Sequence, residues 1–465
     1  MTRRGATPET PVRVGMIGLG CAKNLVDGEV MLGHVSAAGL EVTSDPTRAD
    51  VVVVNTCGFI TDAKQESIDA ILEVAEAKAE GSVKRLVVSG CMAQAYAEEL
   101  KREIPEIDAF VGLDELEDIV AAVRGEMADH VPDQRGAVRL YDHVAPRIVS
   151  TGGYAYLKVA EGCGNPCAFC HIPAMRGDFR SRRLGDLVAE ARQLEAGGVK
   201  ELVLIAQDTT RYGEDLGLEH GLRDLVRALL DDTDIPWIRF LYAYPATLDE
   251  GLFELMAEHP RFVPYLDIPL QHAHRGVLKN MRRGGDARSY LAMIDRARSM
   301  VPELALRTTF IVGFPGEDDE AFSELEAFIQ AVGFDHLGVF TYSWQEENPG
   351  SAQGDPVPEE VKVARRDRLM EVQQPISLAR NESLVGRTLP AIVEGPLAEM
   401  ELLTAGRLQR QAPEIDGRLL INDGTATPGS LVEVEITEAH PYDVVGRIVR
   451  VVQAGRPDLS LPVMG

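Results

Sequence analysis

Short apolar runs, each followed by a stretch with helical spacing, recur along most of the 465 residues and limit the architectures open to the chain. In the first third, VRVGMIGLG (12–20), ADVVVVNTCG (49–58), KRLVVSGCM (84–92) and AFVGLDE (109–115) read as strands. Between the second and third of these, DAKQESIDAILEVAEAKAEG starts at Asp62, carries apolar residues at helical spacing and stops at Gly81. Strands this uniformly apolar, joined by helices, must be covered on both faces. The pattern predicts an α/β fold with an N-terminal doubly wound parallel sheet over residues 1–140.

The turn-rich stretch GEMADHVPDQRGAVRLYDHVAPRIVSTGG reads as a connection to a second region. There the strand and helix pattern repeats about six times, with strands near 154–160, 201–206, 237–242, 265–268, 305–312 and 336–342 and a closing helical segment to about 380. Successive units of this number predict a central partial (β/α)6 TIM-like barrel over 145–380, with its chemistry at the C-terminal ends of the strands. Over 381–455 the runs LPAIVEG, GRLLIND, SLVEVEITEAH and DVVGRIVRVV alternate with Gly, Pro and Asn-Asp-Gly, which predicts a small antiparallel β-barrel.

The 45% hydrophobic fraction, with 43 glycines and 26 prolines, is that of a folded globular chain. No apolar run reaches the 18 residues of a membrane span, and the N-terminus lacks the flanks and length of a secretory signal, so a cytoplasmic protein is expected. Thiols stay reduced in that compartment. Six cysteines there point to metal binding or catalysis before disulfides. The 47 basic and 73 acidic residues give a net charge of -26, which opposes a polyanion as main partner and suits a basic protein.

Three of the six cysteines, Cys163, Cys167 and Cys170, fall within eight positions directly after the apolar strand YAYLKVA. A C-x3-C-x2-C loop can wrap three thiolates around a four-iron cubane and leave one iron open. An open position is what separates a metal site that does chemistry from a closed structural one. The other readings are three buried structural thiols, a coincidence at this spacing, or zinc completed by His171, which adjoins Cys170 and is badly placed for tetrahedral closure. Cys21, Cys57 and Cys91 each stand just past an apolar run, where strand ends in an open parallel sheet line a ligand crevice. Their position fits either a second cluster with an open iron or three small buried residues, and does not choose between them.

The C-x3-C-x2-C loop matches the signature of the radical SAM superfamily. Together with GCAKNLVDGE, EGCGNPCAFCHIPAMRG, AQDTTRYG, LDIPLQHA, RTTFIVGFPGE and HPYDVVGRIV, it makes nearly the whole chain resemble the methylthiotransferases of that superfamily. The resemblance implies an N-terminal cluster domain, a central radical SAM domain and a C-terminal TRAM domain. It implies two 4Fe-4S clusters, one on Cys21, Cys57 and Cys91 and one on Cys163, Cys167 and Cys170, with S-adenosyl-L-methionine as co-substrate and an external electron donor. The open iron at Cys163, Cys167 and Cys170 would chelate S-adenosylmethionine, whose cleavage yields a 5'-deoxyadenosyl radical, and Phe169 would lie beside the adenine. Within the family the quoted stretches are most similar to the members that methylthiolate the β-carbon of an aspartate in small-subunit ribosomal protein S-twelve. Such a radical removes hydrogen from a carbon that acid-base chemistry leaves untouched at neutral pH. Ala22 departs from the proline common at that place and touches no ligand position.

Charge bears on the substrate separately. Residues 381–465 hold 7 Arg, no Lys and 12 Asp or Glu, a net of -5, the reverse of a phosphate-gripping domain and well suited to a basic protein. A relative that methylthiolates a tRNA adenosine is the second reading. A two-cluster electron carrier is the third, disfavoured because a closed cluster wants four ligands and each set offers three.

Secondary candidates lie on the same strand ends. Gly313, Pro315 and Gly316 in GFPGE form either a wall for S-adenosylmethionine or an ordinary strand-to-helix turn. Gln207 and Asp208 end LVLIAQD, as cofactor contacts or, for Asp208, as a turn cap. Asp267, Gln271 and His272 follow YLDIPL, where a lone histidine is more often structural than catalytic. In MRGDFRSRR, Arg176, Arg180, Arg182 and Arg183 would hold an acidic group or form a solvated surface before a helix.

Overall fold

The computed structural model describes residues 12–127, 130–133, 139–397 and 400–456. The reading of the first eleven residues and part of the turn-rich connection lie outside them. The described residues divide into two compact units, one holding those up to Ser150 together with Ala174–Gly177, the other Thr151–Pro173 and those from Asp178 to residue 456.

In the first unit, strands β1 (Arg13–Gly18), β2 (Glu41–Val42), β3 (Val51–Thr56), β4 (Arg85–Ser89) and β5 (Ala109–Val111) form one sheet in the order 2-1-3-4-5, every pair parallel. Alternation within the apolar strands sends side chains to two cores. Val52, Val54, Leu86 and Val88 pack with Ile71 and Ala93 on one face, and Val51, Val53 and Val87 with Met31 and Ile119 on the other. The sheet is therefore doubly wound, and its switch point, where the chain leaves toward opposite edges, falls between β1 and β3. The edge strand β2 has no apolar run to announce it. The helix expected to start at Asp62 begins at Thr61 after Ile60, with Asp62 in its first turn, where its charge meets the helix dipole, and not at the cap.

In the second unit, β6 (Tyr154–Lys158), β9 (Glu201–Ile205), β10 (Trp237–Phe240), β11 (Tyr265–Asp267), β12 (Ala305–Val312) and β13 (His336–Thr341) are each followed by helix. A short antiparallel pair, β7 (Ala160–Glu161) and β8 (Arg180–Ser181), follows β6. Strands β6, β9 and β10 pair in parallel, as do β11, β12 and β13. Backbone bonds Ile238 N to Arg261 O (2.7 Å) and Val263 N to Ile238 O (3.0 Å) join the two sheets into one open barrel. Strands β14 (Thr388–Leu397), β15 (Met400–Leu408), β16 (Leu419–Asp423), β17 (Leu431–Ala439) and β18 (Val444–Gln453) close a small barrel in the order 14-15-16-18-17. Four of its pairings are antiparallel, whereas β16 and β18 run parallel. An odd number of strands cannot alternate in direction all the way round a closed barrel, so one parallel pair is unavoidable.

The small barrel is fixed to the amino ends of the central strands by buried charge. Glu201, at the start of β9, receives both Arg239 and Arg407, all three within 2% of full burial. Tyr154 donates to Glu414 (2.8 Å), Tyr265 donates to Asp416 (2.6 Å), and Asp416 also meets Arg307 (3.3 Å). Burial alone would raise the Glu201 carboxyl, but Arg239 and Arg407 outweigh it and hold it below the usual carboxylate range. Such a group stabilises the fold above its unfolded value of about 4.3 and gives that contribution up as pH falls through its depressed folded value. Glu201→Gln is expected to lower stability at pH 7 by about 3–5 kcal/mol, because two guanidinium groups lose their shared counter-charge. Denaturant unfolding followed through the buried Trp237 measures it, and the difference between variant and parent should shrink as pH falls below about 4.

Candidate functional sites

In the first unit the carboxyl ends of β1, β3 and β4 carry Cys21, Cys57 and Cys91 to the switch-point edge of the sheet. Cys21 occupies the N-cap of helix Ala22–Ala37, and Cys91 is the second residue of helix Gly90–Glu103. The Cys57 backbone N donates to Ser67 Oγ (3.0 Å), and that hydroxyl donates to the Cys57 carbonyl (3.0 Å), which pins the loop after β3. Gly20 has φ +93°, and a Cβ there would sit 2.8 Å from Cys57 Cβ, so only glycine lets the loops of Cys21 and Cys57 approach. Burial raises the Cys57 and Cys91 thiols and charge on Cys21 adds to both, so the three thiols share one electrostatic site.

Asn24 organises that site. Its Nδ2 donates to Leu19 O (2.9 Å) and Thr56 O (2.8 Å), tying the ends of β1 and β3 together, while its backbone O accepts from Asn55 Nδ2 (2.7 Å). Asn24 Oδ1 accepts from Arg176 (3.1 Å), which also donates to Asp27 Oδ2 (3.2 Å) and Cys91 Sγ (3.3 Å). Burial pushes the Cys91 thiol up to about 12 despite Arg176. At Cys21 burial is outweighed by Lys23, Arg176 and backbone N–H groups, and the thiol lies below its ordinary value.

In the second unit Cys163, Cys167 and Cys170 lie on the loop after β6 and β7. Cys170 N to Cys167 O (3.3 Å) closes its turn, and Ala168 is held by Met281 O (3.0 Å) and by Gly350 N (2.8 Å). Burial raises the Cys163 thiol and pushes Cys170 up to about 12, with the neighbouring thiols adding to both. A bound metal centre replaces the proton and so supports the thiolate that burial opposes. His171 Nδ1 faces the Glu347 carbonyl at 3.0 Å, so this ring is engaged with backbone. Among the described residues no three His, Cys, Asp or Glu side chains are gathered closely enough to grip a single ion. A cubane asks for a wider set, because each thiolate binds a different iron.

The other sequence candidates divide. Phe169 is half-buried and meets Phe314 edge-on (6.3 Å), which in turn packs on Tyr342 (4.8 Å). Gln207 Nε2 donates to Glu161 Oε1 (2.8 Å), and its own Oε1 is buried without a partner. Asp208 accepts from Asn165 (2.8 Å) and Thr210 (2.6 Å), so it binds the cysteine loop to its own turn, and burial raises its carboxyl. Gly313 sits against Lys362, Gly316 against Asn280, and the Pro315 carbonyl accepts from Asn280 Nδ2 (3.0 Å). Asp267 receives Arg307 (2.9 Å) and Tyr242 N (2.8 Å), while the backbone of Gln271 bonds to β12 through Thr309 O (2.8 Å). His272 accepts from His274 N (2.9 Å) and faces Glu317 (3.2 Å), which Arg365 also binds (2.8 Å), a buried structural relay.

The basic run is not a solvated surface. Arg176 folds into the first unit, Arg182 is buried on Glu190 (2.7 Å) and Lys158 O (3.1 Å), Arg180 lies in β8, and only Arg183 is exposed, at a helix N-cap. These guanidinium groups compensate buried carboxylates and carbonyls, which a charge count along the sequence does not reveal. Sequence reasoning missed Asn24 and Asp27, although 21, 24 and 27 share one helical face. It also missed Arg283, which donates to Cys167 Sγ (3.6 Å) and lies over the Tyr244 ring (4.3 Å).

Asn24→Ala would leave the Leu19 and Thr56 carbonyls without their donor, a cost of about 2–3 kcal/mol. Faster hydrogen exchange is expected in Arg13–Gly18 and Val51–Thr56 and unchanged exchange in Glu201–Ile205.

Comparison with known proteins follows the same division. Residues 13–112 match the uncharacterized protein family UPF0004, 157–329 the radical SAM superfamily and 385–449 the TRAM domain. The ribosomal protein uS12 methylthiotransferase RimO of Anaeromyxobacter sp. (strain K) is 49% identical, over 94% of this chain and 93% of its own. That of Solibacter usitatus is 47% identical over 94% and 95%, and that of Koribacter versatilis 44% over 95% and 97%. Among solved structures, the radical S-adenosylmethionine methyltransferase TsrM of Kitasatospora setae shares the fold, with a TM-score of 0.53 at 15% identity over 74% of this chain and 77% of that one.

Proposed function

The chain belongs to the RimO family of ribosomal protein uS12 methylthiotransferases, and we propose that it adds a methylthio group to the β-carbon of an aspartate in that protein. The observation that carries the reading is the match to that family over about 95% of the chain, with all six cysteines free at strand ends. Cys163, Cys167 and Cys170 would hold the radical-generating 4Fe-4S cluster, and Cys21, Cys57 and Cys91 a second one.

The residues present fit these groups. Each set offers three thiols and an arginine N–H directed at one sulfur. Bound there, one cluster with S-adenosylmethionine would supply a carbon radical, and the second would hold the sulfur that is methylated and transferred. The chain's own part is to hold and shield. Phe169 would lie beside the adenine, and Gln207 brings a buried acceptor that lacks a donor. The wall at Gly313, Pro315 and Gly316 is kept in shape by Lys362 and Asn280.

A protein substrate is favoured over tRNA by the use made of the C-terminal arginines. Five of the seven, Arg387, Arg407, Arg410, Arg447 and Arg450, are already paired with carboxylates, which leaves little charge for phosphates. No helix among the described residues is long and apolar enough to cross a membrane. A ribosomal substrate and six free thiols fit the cytoplasm, with an external reductant supplying electrons.

Anaerobically reconstituted protein, given S-adenosylmethionine, dithionite and either uS12 or tRNA, should add mass to a uS12 peptide carrying aspartate. Mass gained on tRNA alone would reverse the substrate assignment. Replacing Cys163, Cys167 and Cys170 by Ala should abolish 5'-deoxyadenosine formation while iron remains at the N-terminal thiols, and persisting cleavage would show the two sites to be misassigned.

A further inference from the structure

Arg176 stands six residues after Cys170, yet folds with the N-terminal unit. It is 1% exposed, as is Asp27, and a guanidinium keeps its charge even there. Its hydrogen bonds to Asn24 Oδ1 and Asp27 Oδ2 fix the plane of the guanidinium, and that plane directs Nε at Cys91 Sγ, 3.3 Å away. A neutral thiol is a weak acceptor, so packing alone gives little reason to aim a buried, charged donor at sulfur. A sulfur that carries negative charge as a ligand gives a strong one.

We propose that Arg176 is a positioning residue for the N-terminal three-thiol site, and that its charge and its N–H to the Cys91 sulfur raise the reduction potential of the cluster held there. The inference rests on the second-cluster reading above. Reduction adds negative charge to a buried group whose ligands are already anionic. A fixed cation with an N–H on a ligand sulfur favours the reduced form, and Asp27 partly offsets it. Because the segment carrying Arg176 continues directly from the C-x3-C-x2-C loop, the radical domain's own sequence supplies the residue that tunes the other cluster.

The test uses the full chain with Cys163, Cys167 and Cys170 replaced by Ala, so that any iron-sulfur signal reports the N-terminal site. Potentiometric titration read by electron paramagnetic resonance gives its midpoint. Arg176→Gln should make reduction at least tenfold less favourable, a shift of about 59 mV to more negative potential for one electron. Arg176→Lys, which keeps the charge and loses the fixed fork, should recover part of that shift. A loaded Arg176→Gln protein with an unchanged midpoint, or a Lys variant no different from Gln, overturns the inference alone. A parent that takes up no iron overturns the second-cluster reading and the inference with it. If Arg176→Gln fails to load, Asp27→Asn decides. Removing the counter-charge should move the midpoint positive, and a negative or absent shift contradicts the proposal.

Discussion

Parallel strand pairing is the constraint on which the rest of the molecule depends. It sends the carboxyl end of every strand in a sheet to the same edge, so residues far apart in sequence meet without any contact being needed between their helices. Cys21, Cys57 and Cys91 span seventy positions and share one electrostatic site for this reason. The same rule in the central barrel places the C-x3-C-x2-C loop, Gln207 and the Gly313 to Gly316 turn after the carboxyl ends of β6, β9 and β12. A polar or reactive residue at a strand's carboxyl end leaves the packed interior undisturbed, so chemistry collects there.

The amino ends of the same barrel are given over to stability. Glu201, Arg239 and Arg407 form a buried charge cluster, with Tyr154, Tyr265, Arg307 and Asp416 beside it, and this attaches the small C-terminal barrel. None of these charges is left without an opposite one, which is what makes their burial tolerable. Arginine appears in a second role at the thiols. Arg176 and Arg283 each direct a donor at a cysteine sulfur, one in each unit.

Much of this was legible in the sequence where a single physical rule was at work. Runs such as VVVV at 51–54 can be little other than buried parallel strand, and the six βα units lie within a residue or two of their expected places. The cysteine loop was legible because three thiols in eight positions have few uses. What stayed hidden depends on partners distant in sequence. The two-residue strand β2 is defined by its pairing with β1 and not by its own composition. The parallel contact of β16 with β18 comes from closing an odd number of strands, a property of the whole barrel. The basic run after Cys170 looked like surface because buried counter-charges such as Asp27 and Glu190 lie far away along the chain.

The account as a whole requires that each set of three thiols hold its own cluster. Iron and acid-labile sulfide analysis of the oxygen-protected full-length protein tests this most directly. About eight irons and about eight sulfides per chain are predicted for two cubanes. Zinc without labile sulfide, or iron and sulfide for one cubane only, would contradict it.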